Sequence, residues 1–161
     1  MKKLVKKKGI SPVIATMLLI GIVVATALIV FLWFKSVVGD YGQKFGKNVE
    51  LVCEEVQLNT DYSGGFLYVT NDGNVPVFRL NLKISGGGNY ETKELNSIVE
   101  GTSYPWPESG LSQGGVYSGD ISAEASSAEK IIVIPVLMGV SDKGIKKTYA
   151  CNEQYGYEII I

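Results

Sequence analysis

The chain has 161 residues, enough for one ordinary domain with an appendage. Five of its fifteen basic side chains are lysines within the first eight positions, and without these five the rest of the chain has a net charge of −6. An acidic body with scattered basic residues offers no stripe for nucleic acid, so no specific nucleic-acid partner is expected. Because the chain has no histidine and no CxxC pair, we also expect no metal site and no cofactor.

The first predicted element is a long apolar helix directly behind the lysines. Residues 10–34 carry no charged side chain, and 25 helical residues span about 37 Å, more than the roughly 30 Å of a membrane's hydrocarbon core. The leading lysines place the N-terminus in the cytoplasm and the remainder outside. A secretory signal cleaved at its far end fits badly, since such signals have apolar regions of about 7–15 residues and end in small side chains.

The start of this helix is set by Ser11 and Pro12. Serine is a favoured N-cap, and proline suits the first helical turn, where its missing N–H is no loss. Proline also disfavours the helical conformation at the residue before it. Residues 8–10 should therefore be extended at the cytoplasmic face, which is the form in which a protease takes its substrate.

The stretch KKKGISPVIATMLLIGIVVATALIVFLWF, residues 6–34, resembles the N-terminus of archaeal type IV pilins, whose leader is a class III signal peptide. A basic leader, a glycine, Ser-Pro and a long uncharged run follow one another in the family's order. The resemblance implies that a prepilin peptidase cuts between Gly9 and Ile10. Bacterial pilins usually carry a glutamate where this chain has Ile14, so packing between helices would rest on apolar contact alone.

The resemblance also implies a function and partners. The chain would be a structural subunit of a surface filament that serves adhesion, inserted in the cytoplasmic membrane before assembly. Its partners would be other copies of itself, the peptidase and the pilus assembly machinery. Small side chains would let neighbouring helices approach closely; they are Ala15, Thr16, Gly21 and Ala25. The alternative is an uncleaved single-pass membrane anchor whose outer domain binds a ligand or partner.

A glycine-containing hinge divides the chain into three parts. Gly39, Gly42 and Gly46 punctuate the sequence where the apolar helix ends. The predicted parts are a leader at residues 1–9, the helix and hinge at residues 10–47, and an outer domain at residues 48–161.

The outer domain has the alternating pattern of β-strands. Phe78, Leu80, Leu82 and Ile84 alternate with polar residues, which is typical of a half-buried strand. The segment FLYVTNDGNVP before it predicts a strand, a turn, and a strand entrance at Pro76. Further predicted strands are Val49–Leu58, Tyr90–Leu95, Val116–Ser122, Lys130–Val140 and Thr148–Ile161, the last divided near Asn152–Gly156.

These short strands and glycine-rich turns predict a β-sandwich with Greek-key connections, and an α+β class for the whole chain. The segment VTNDGNVPVFRLNLKISG is similar to immunoglobulin-like domains of archaeal surface proteins. Cys53 and Cys151 lie near the two ends of this domain. In an exported protein they are expected to form one disulfide, and the alternative is two buried thiols.

Two further segments bear on function. Glu54 and Glu55 are adjacent, so on a strand they would face opposite sides and form no catalytic pair. With no histidine present, we expect no enzymatic activity. The loop YPWPES, residues 104–109, is stiffened by two prolines, and Tyr104 and Trp106 are candidate surface-contact residues. The alternative is that Trp106 folds back over the edge of the sandwich.

Overall fold

The computed structural model describes residues 12–38, 43–44, 46–141 and 144–161. The chain divides into two compact units, Met1–Asp40 and Tyr41–Ile161. We call the second unit the β-domain. The predicted cleavage site at Gly9 and Ile10, the predicted N-cap at Ser11, and the hinge glycines 39 and 42 lie outside the described residues.

The first unit contains helix α1, Pro12–Val38. Its 27 residues give a length of about 40 Å. Every side chain described from Pro12 to Lys35 is exposed. The predicted long apolar helix is therefore confirmed, and no described residue of its unit buries its side chains.

The β-domain consists of short strands with brief helical turns between them. The strands are β1 Gln43–Lys44, β2 Lys47–Asn48, β3 Leu58–Ser63, β4 Phe66–Asn71, β5 Arg79–Gly86, β6 Asn89–Glu94, β7 Val116–Asp120, β8 Lys130–Val140, β9 Lys146–Ala150 and β10 Tyr157–Ile160. The helices are α2 Val49–Val52, α3 Leu95–Ile98 and α4 Ser122–Ala125, with 3₁₀ turns at Cys53–Glu55 and Glu153–Tyr155. This arrangement confirms the predicted α+β class.

The strands form two antiparallel sheets around one core. The large sheet has the order β2-β1-β8-β5-β6, with β9 and β10 also paired to β8, and the small sheet has the order β3-β4-β7. Inward side chains of both sheets belong to one hydrophobic cluster, and the most deeply buried include Leu67 and Val69 from β4, Leu82 from β5, and Ile131 and Val133 from β8. The β-domain is therefore a two-layer sandwich.

Strand β8 organises the large sheet. One side of its eleven residues pairs with β5 from Arg79 to Ser85. Beyond the end of β5, Val140 pairs on the same side with Gln43 of β1. The other side of β8 pairs in turn with β10 and β9. The predicted division of the C-terminal segment is confirmed, because the 3₁₀ turn Glu153–Tyr155 separates β9 from β10.

The predicted strand Val49–Leu58 is wrong. This segment forms α2 and a 3₁₀ turn, and the Asn48 side chain caps α2 by accepting a hydrogen bond from Glu50 N at 3.1 Å. Up to Val56 the buried residues are Val49, Val52, Cys53 and Val56, a spacing of three and four residues that is helical rather than strand-like. Leu58, also buried, is already the first residue of β3. Cys53 thus lies in a helical turn and not on a first strand.

Asn71 holds together the turn that follows β4. Its side chain is fully buried, and its Nδ2 donates to Val75 O at 2.9 Å and to Leu111 O at 3.1 Å. Its Oδ1 accepts from Gly73 N at 3.1 Å. These three bonds satisfy buried backbone groups of two loops, which explains an asparagine in the core.

Candidate functional site

The disulfide joins Cys53 to Cys151, as the sequence predicts. Cys53 follows α2 and begins the 3₁₀ turn Cys53–Glu55. Cys151 directly follows β9 and donates its backbone N–H to Pro135 O on β8 at 2.9 Å. Both cysteines are buried. The bond fastens the first segment of the β-domain to its central strand, and its presence is typical of proteins in an oxidising compartment.

The surface of α1 is apolar around its whole circumference. The large apolar side chains from Val13 to Phe34 are each 53–71 % exposed. The segment Pro12–Lys35 is long and apolar enough to cross a membrane. In water such a surface is strongly unfavourable, so the helix requires lipid or other apolar helices as its surroundings.

The two threonine hydroxyl groups of α1 are satisfied inside the helix. Thr16 Oγ1 donates to Val13 O at 2.9 Å. Thr26 Oγ1 lies 2.9 Å from Ile22 O and 3.0 Å from Val23 O. Because both threonines bond to their own helix, neither brings an unsatisfied polar group into an apolar environment.

Small residues leave one part of the α1 surface recessed. A shallow groove is lined by Ile14, Met17, Leu18, Gly21, Ile22 and Ala25. A Cβ atom added at Gly21 would meet nothing within 4 Å. Gly21 and Ala25 are one helical turn apart, and such small-residue pairs permit close helix approach.

The prediction that Trp106 is a surface-contact residue is wrong. Its side chain is only 5 % exposed, its Nε1 donates to Phe78 O at 2.8 Å, and its ring packs edge-on against Tyr117 at 4.8 Å. The alternative, that the tryptophan folds back over the sandwich, describes the structure. Tyr104 remains 48 % exposed and keeps its place as a candidate contact residue.

A hydrogen bond from Tyr117 holds the loop of residues 104–109 at Tyr104. Tyr117 Oη donates to Tyr104 O at 2.9 Å, and burial raises the pKa of the Tyr117 hydroxyl to about 12. The Tyr104 ring packs edge-on against Phe66 at 5.6 Å. This loop is therefore held against the small sheet rather than projecting from it.

The outer face of the small sheet carries aromatic side chains that sequence reasoning did not single out. Tyr68 is 43 % exposed in the middle of the central strand β4. Its direct neighbours are Asp61 on β3 and Ser118 on β7. The alternation of Phe66, Leu67, Tyr68 and Val69 already indicates that the two aromatic residues share one face, but the neighbours across the sheet depend on strand order.

Several charged groups of the β-domain form ion pairs with one another. Among the described residues, no group of three or more acidic or cysteine side chains is placed to hold a metal ion. Glu54 and Glu55 lie in a 3₁₀ turn, not on a strand, and Glu55 pairs with Lys47. An open recess of about 480 Å³ lies beside Trp106, but the one cation lining it, Arg79, pairs with Glu94.

Comparison of the sequence with protein-family models and with curated proteins gave no match.

Proposed function

We propose that this chain is a structural subunit of an archaeal type IV pilus-like filament, processed between Gly9 and Ile10. The α1 helices would form the filament core, and the β-domains would form its outer surface and serve adhesion. Before assembly the subunit would sit in the cytoplasmic membrane with its N-terminus inside. We assign the chain no catalytic role.

The observation that carries this proposal is the fully exposed apolar helix behind a leader of pilin type. Burying a large aliphatic or aromatic side chain is worth about 1.5–3 kcal/mol. Sixteen such side chains of α1 are more than half exposed, so leaving them in water costs tens of kcal/mol. A bundle of identical helices removes this cost outside the membrane, and Gly21 gives the close approach that a bundle needs.

The disulfide supports a location of the β-domain outside the cytoplasm. A buried disulfide in a domain placed behind a membrane-length helix fits the positive-inside orientation, in which the five lysines stay in the cytoplasm. This orientation is shared by the alternative of an uncleaved anchor. The two proposals therefore differ in processing and in assembly, and the tests address those two properties.

The first test is processing. Protein purified from cells with active prepilin peptidase should begin at Ile10, lack all five leader lysines, and show this in its intact mass. Gly9→Leu should retain the leader, while Gly46→Leu, a matched change in the β-domain, should be processed normally. A wild-type chain that still begins at Met1 or Lys2 would favour the uncleaved anchor.

The second test is assembly. Leu19→Lys places a charge in the middle of α1, where an unpaired buried charge costs several kcal/mol in every subunit. Electron microscopy of sheared surface material should find filaments in the wild type and none in this variant. The matched control is Leu51→Lys, at an exposed leucine of α2, which should leave filaments intact. Normal filaments from Leu19→Lys would mean that α1 packing does not hold them together.

A further inference from the structure

Three rows of side chains cross all three strands on the outer face of the small sheet, and two of these rows contain an aromatic ring. One row is Asp61, Tyr68 and Ser118, and the next is Ser63, Phe66 and Asp120. Residues paired across a sheet point to the same face. The opposite face is the buried one, since Leu67 and Val69 are fully buried between these positions. Both rows therefore face outward.

The two rows have the same composition in opposite order. From β3 to β7 the first row reads carboxylate, aromatic ring, hydroxyl, and the second reads hydroxyl, aromatic ring, carboxylate. Neighbouring strands lie about 4.8 Å apart, so the two polar groups of a row are about 10 Å apart with the ring between them. The rows themselves are two residues, or about 6.8 Å, apart along β4.

The polar groups of these rows are available to a ligand. Within the part of the chain that the structure describes, the side chains of Asp61, Ser63 and Ser118 make no hydrogen bond or ion pair. Asp120 uses one carboxylate oxygen, which accepts from Ser122 N at 2.9 Å. The Ser122 hydroxyl also bonds to this carboxylate, which leaves only its remaining lone pairs to a ligand. The Tyr104 ring packs against Phe66 and extends the aromatic surface beyond the second row.

Charge decides which ligands this face accepts. None of the three strands of the small sheet contains lysine or arginine. An anionic polymer would therefore meet two carboxylates and no cation. The large sheet differs, since Arg79, Lys83 and Lys130 all lie on it, each paired with a glutamate. The small sheet thus does not suit an anionic ligand, and its rings with polar groups on either side suit a ligand that has flat apolar faces and hydroxyl groups at its edges.

We propose that this face, from Asp61 to Asp120 across β3, β4 and β7, binds a neutral β-1,4-linked polysaccharide. The C–H face of a pyranose stacks on an aromatic ring, and its equatorial hydroxyls reach the carboxylate and hydroxyl on either side. Successive units of a β-1,4-linked chain are turned over by about half a turn. The opposite order of the two rows matches that alternation. The inference gives the proposed adhesive filament a partner, and it rests on that proposal only for access to the cell exterior.

The test is titration calorimetry on the full chain in a sugar-free zwitterionic detergent. Cellohexaose should bind, and maltohexaose, which has the same six glucose units joined by α-1,4 bonds, should bind at least tenfold more weakly. Tyr68→Ala should weaken cellohexaose binding at least tenfold by removing the stacking surface. Asp61→Asn should weaken it about tenfold, because it replaces a charged acceptor. The matched control is Tyr90→Ala, at an exposed tyrosine of the large sheet, which should leave binding unchanged.

Three outcomes would overturn the inference: cellohexaose fails to bind, both hexaoses bind equally, or Tyr68→Ala binds like the wild type. Binding of hexalysine in place of cellohexaose would also overturn it, because the face would then be an acidic contact surface for a basic partner. Circular dichroism of each variant should match the wild type, since all of the substituted side chains are exposed. Filament formation is not needed for this measurement, so its result is independent of the assembly test.

Discussion

Loss of the disulfide should destabilise the β-domain more than any single change to an exposed side chain. The double variant Cys53→Ala/Cys151→Ala removes a cross-link between residues 98 positions apart. In the chain-entropy account, closing a loop of about 100 residues stabilises a folded domain by about 4–5 kcal/mol, since it restricts the unfolded chain. Alanine also leaves two small cavities, because both cysteines are buried.

This magnitude translates into a large shift of the unfolding midpoint. For a domain of this size, 1 kcal/mol changes Tm by roughly 3–5 °C. The double variant should therefore melt roughly 12–25 °C below the wild type. Since typical domains are stable by only about 5–15 kcal/mol, the variant should also be partly unfolded in modest urea.

The assay is urea unfolding of the β-domain expressed from Tyr41, followed by circular dichroism. Cys53→Ala alone should lose as much stability as the double variant within about 1 kcal/mol, because either change abolishes the bond. The urea m-value should rise, since an unfolded chain without the cross-link exposes more surface. A loss below about 1 kcal/mol, or wild-type thiols that alkylate freely in the folded protein, would refute the reasoning.

Two further predictions concern buried polar groups. Asn71→Ala should destabilise the β-domain by about 2–4 kcal/mol, because it removes three hydrogen bonds to buried backbone groups. The control Asn59→Ala, at an exposed position of β3, should cost less than about 0.5 kcal/mol, as is usual for surface changes. Equal losses of stability in urea unfolding would contradict this role of Asn71. The pKa of Tyr117 is raised from 10.0 to about 12 in the folded state, so the folded state holds its proton more tightly and stability should fall as pH rises from about 10 to 12. Tyr117→Phe should make this fall shallower in unfolding measured at pH 9, 10.5 and 11.5, and an unchanged pH dependence would contradict the assignment.

The sequence predicts the strands of the β-domain where one face is buried. Lys130–Val140 is predicted with the bounds that the structure has, because its continuous apolar run fits a strand covered on both sides. The failure at Val49–Leu58 has a definite cause. Four of the five buried residues there follow helical spacing, but the segment is too short for that period to stand out beside its β-branched valines.

Sequence reasoning left two positions open for Trp106, at a contact surface or folded back over the sandwich, and could not choose between them. Two prolines and a glycine at position 110 indicate a loop but do not say which part of the sandwich the loop covers. That depends on β4 and β7 pairing side by side, which places Tyr117 where the indole packs. The paired rows on the outer face have the same origin: Asp61 and Ser118 are 57 positions apart in sequence, and only the strand order brings them to either side of Tyr68.

Polar groups in an apolar environment need hydrogen-bond partners, and the two units supply these partners in different ways. In the β-domain the requirement is met by contacts distant in sequence, such as Asn71 with Leu111 at 40 positions, and no buried side-chain polar atom among the described residues lacks a partner. In α1 it is met within one helical turn, as Thr26 with Ile22 does. Every member of the core cluster lies in the β-domain, from Val49 onward. The apolar surface of α1 is explained instead by apolar surroundings outside the chain, which in the proposed filament would be lipid before assembly and identical helices after it.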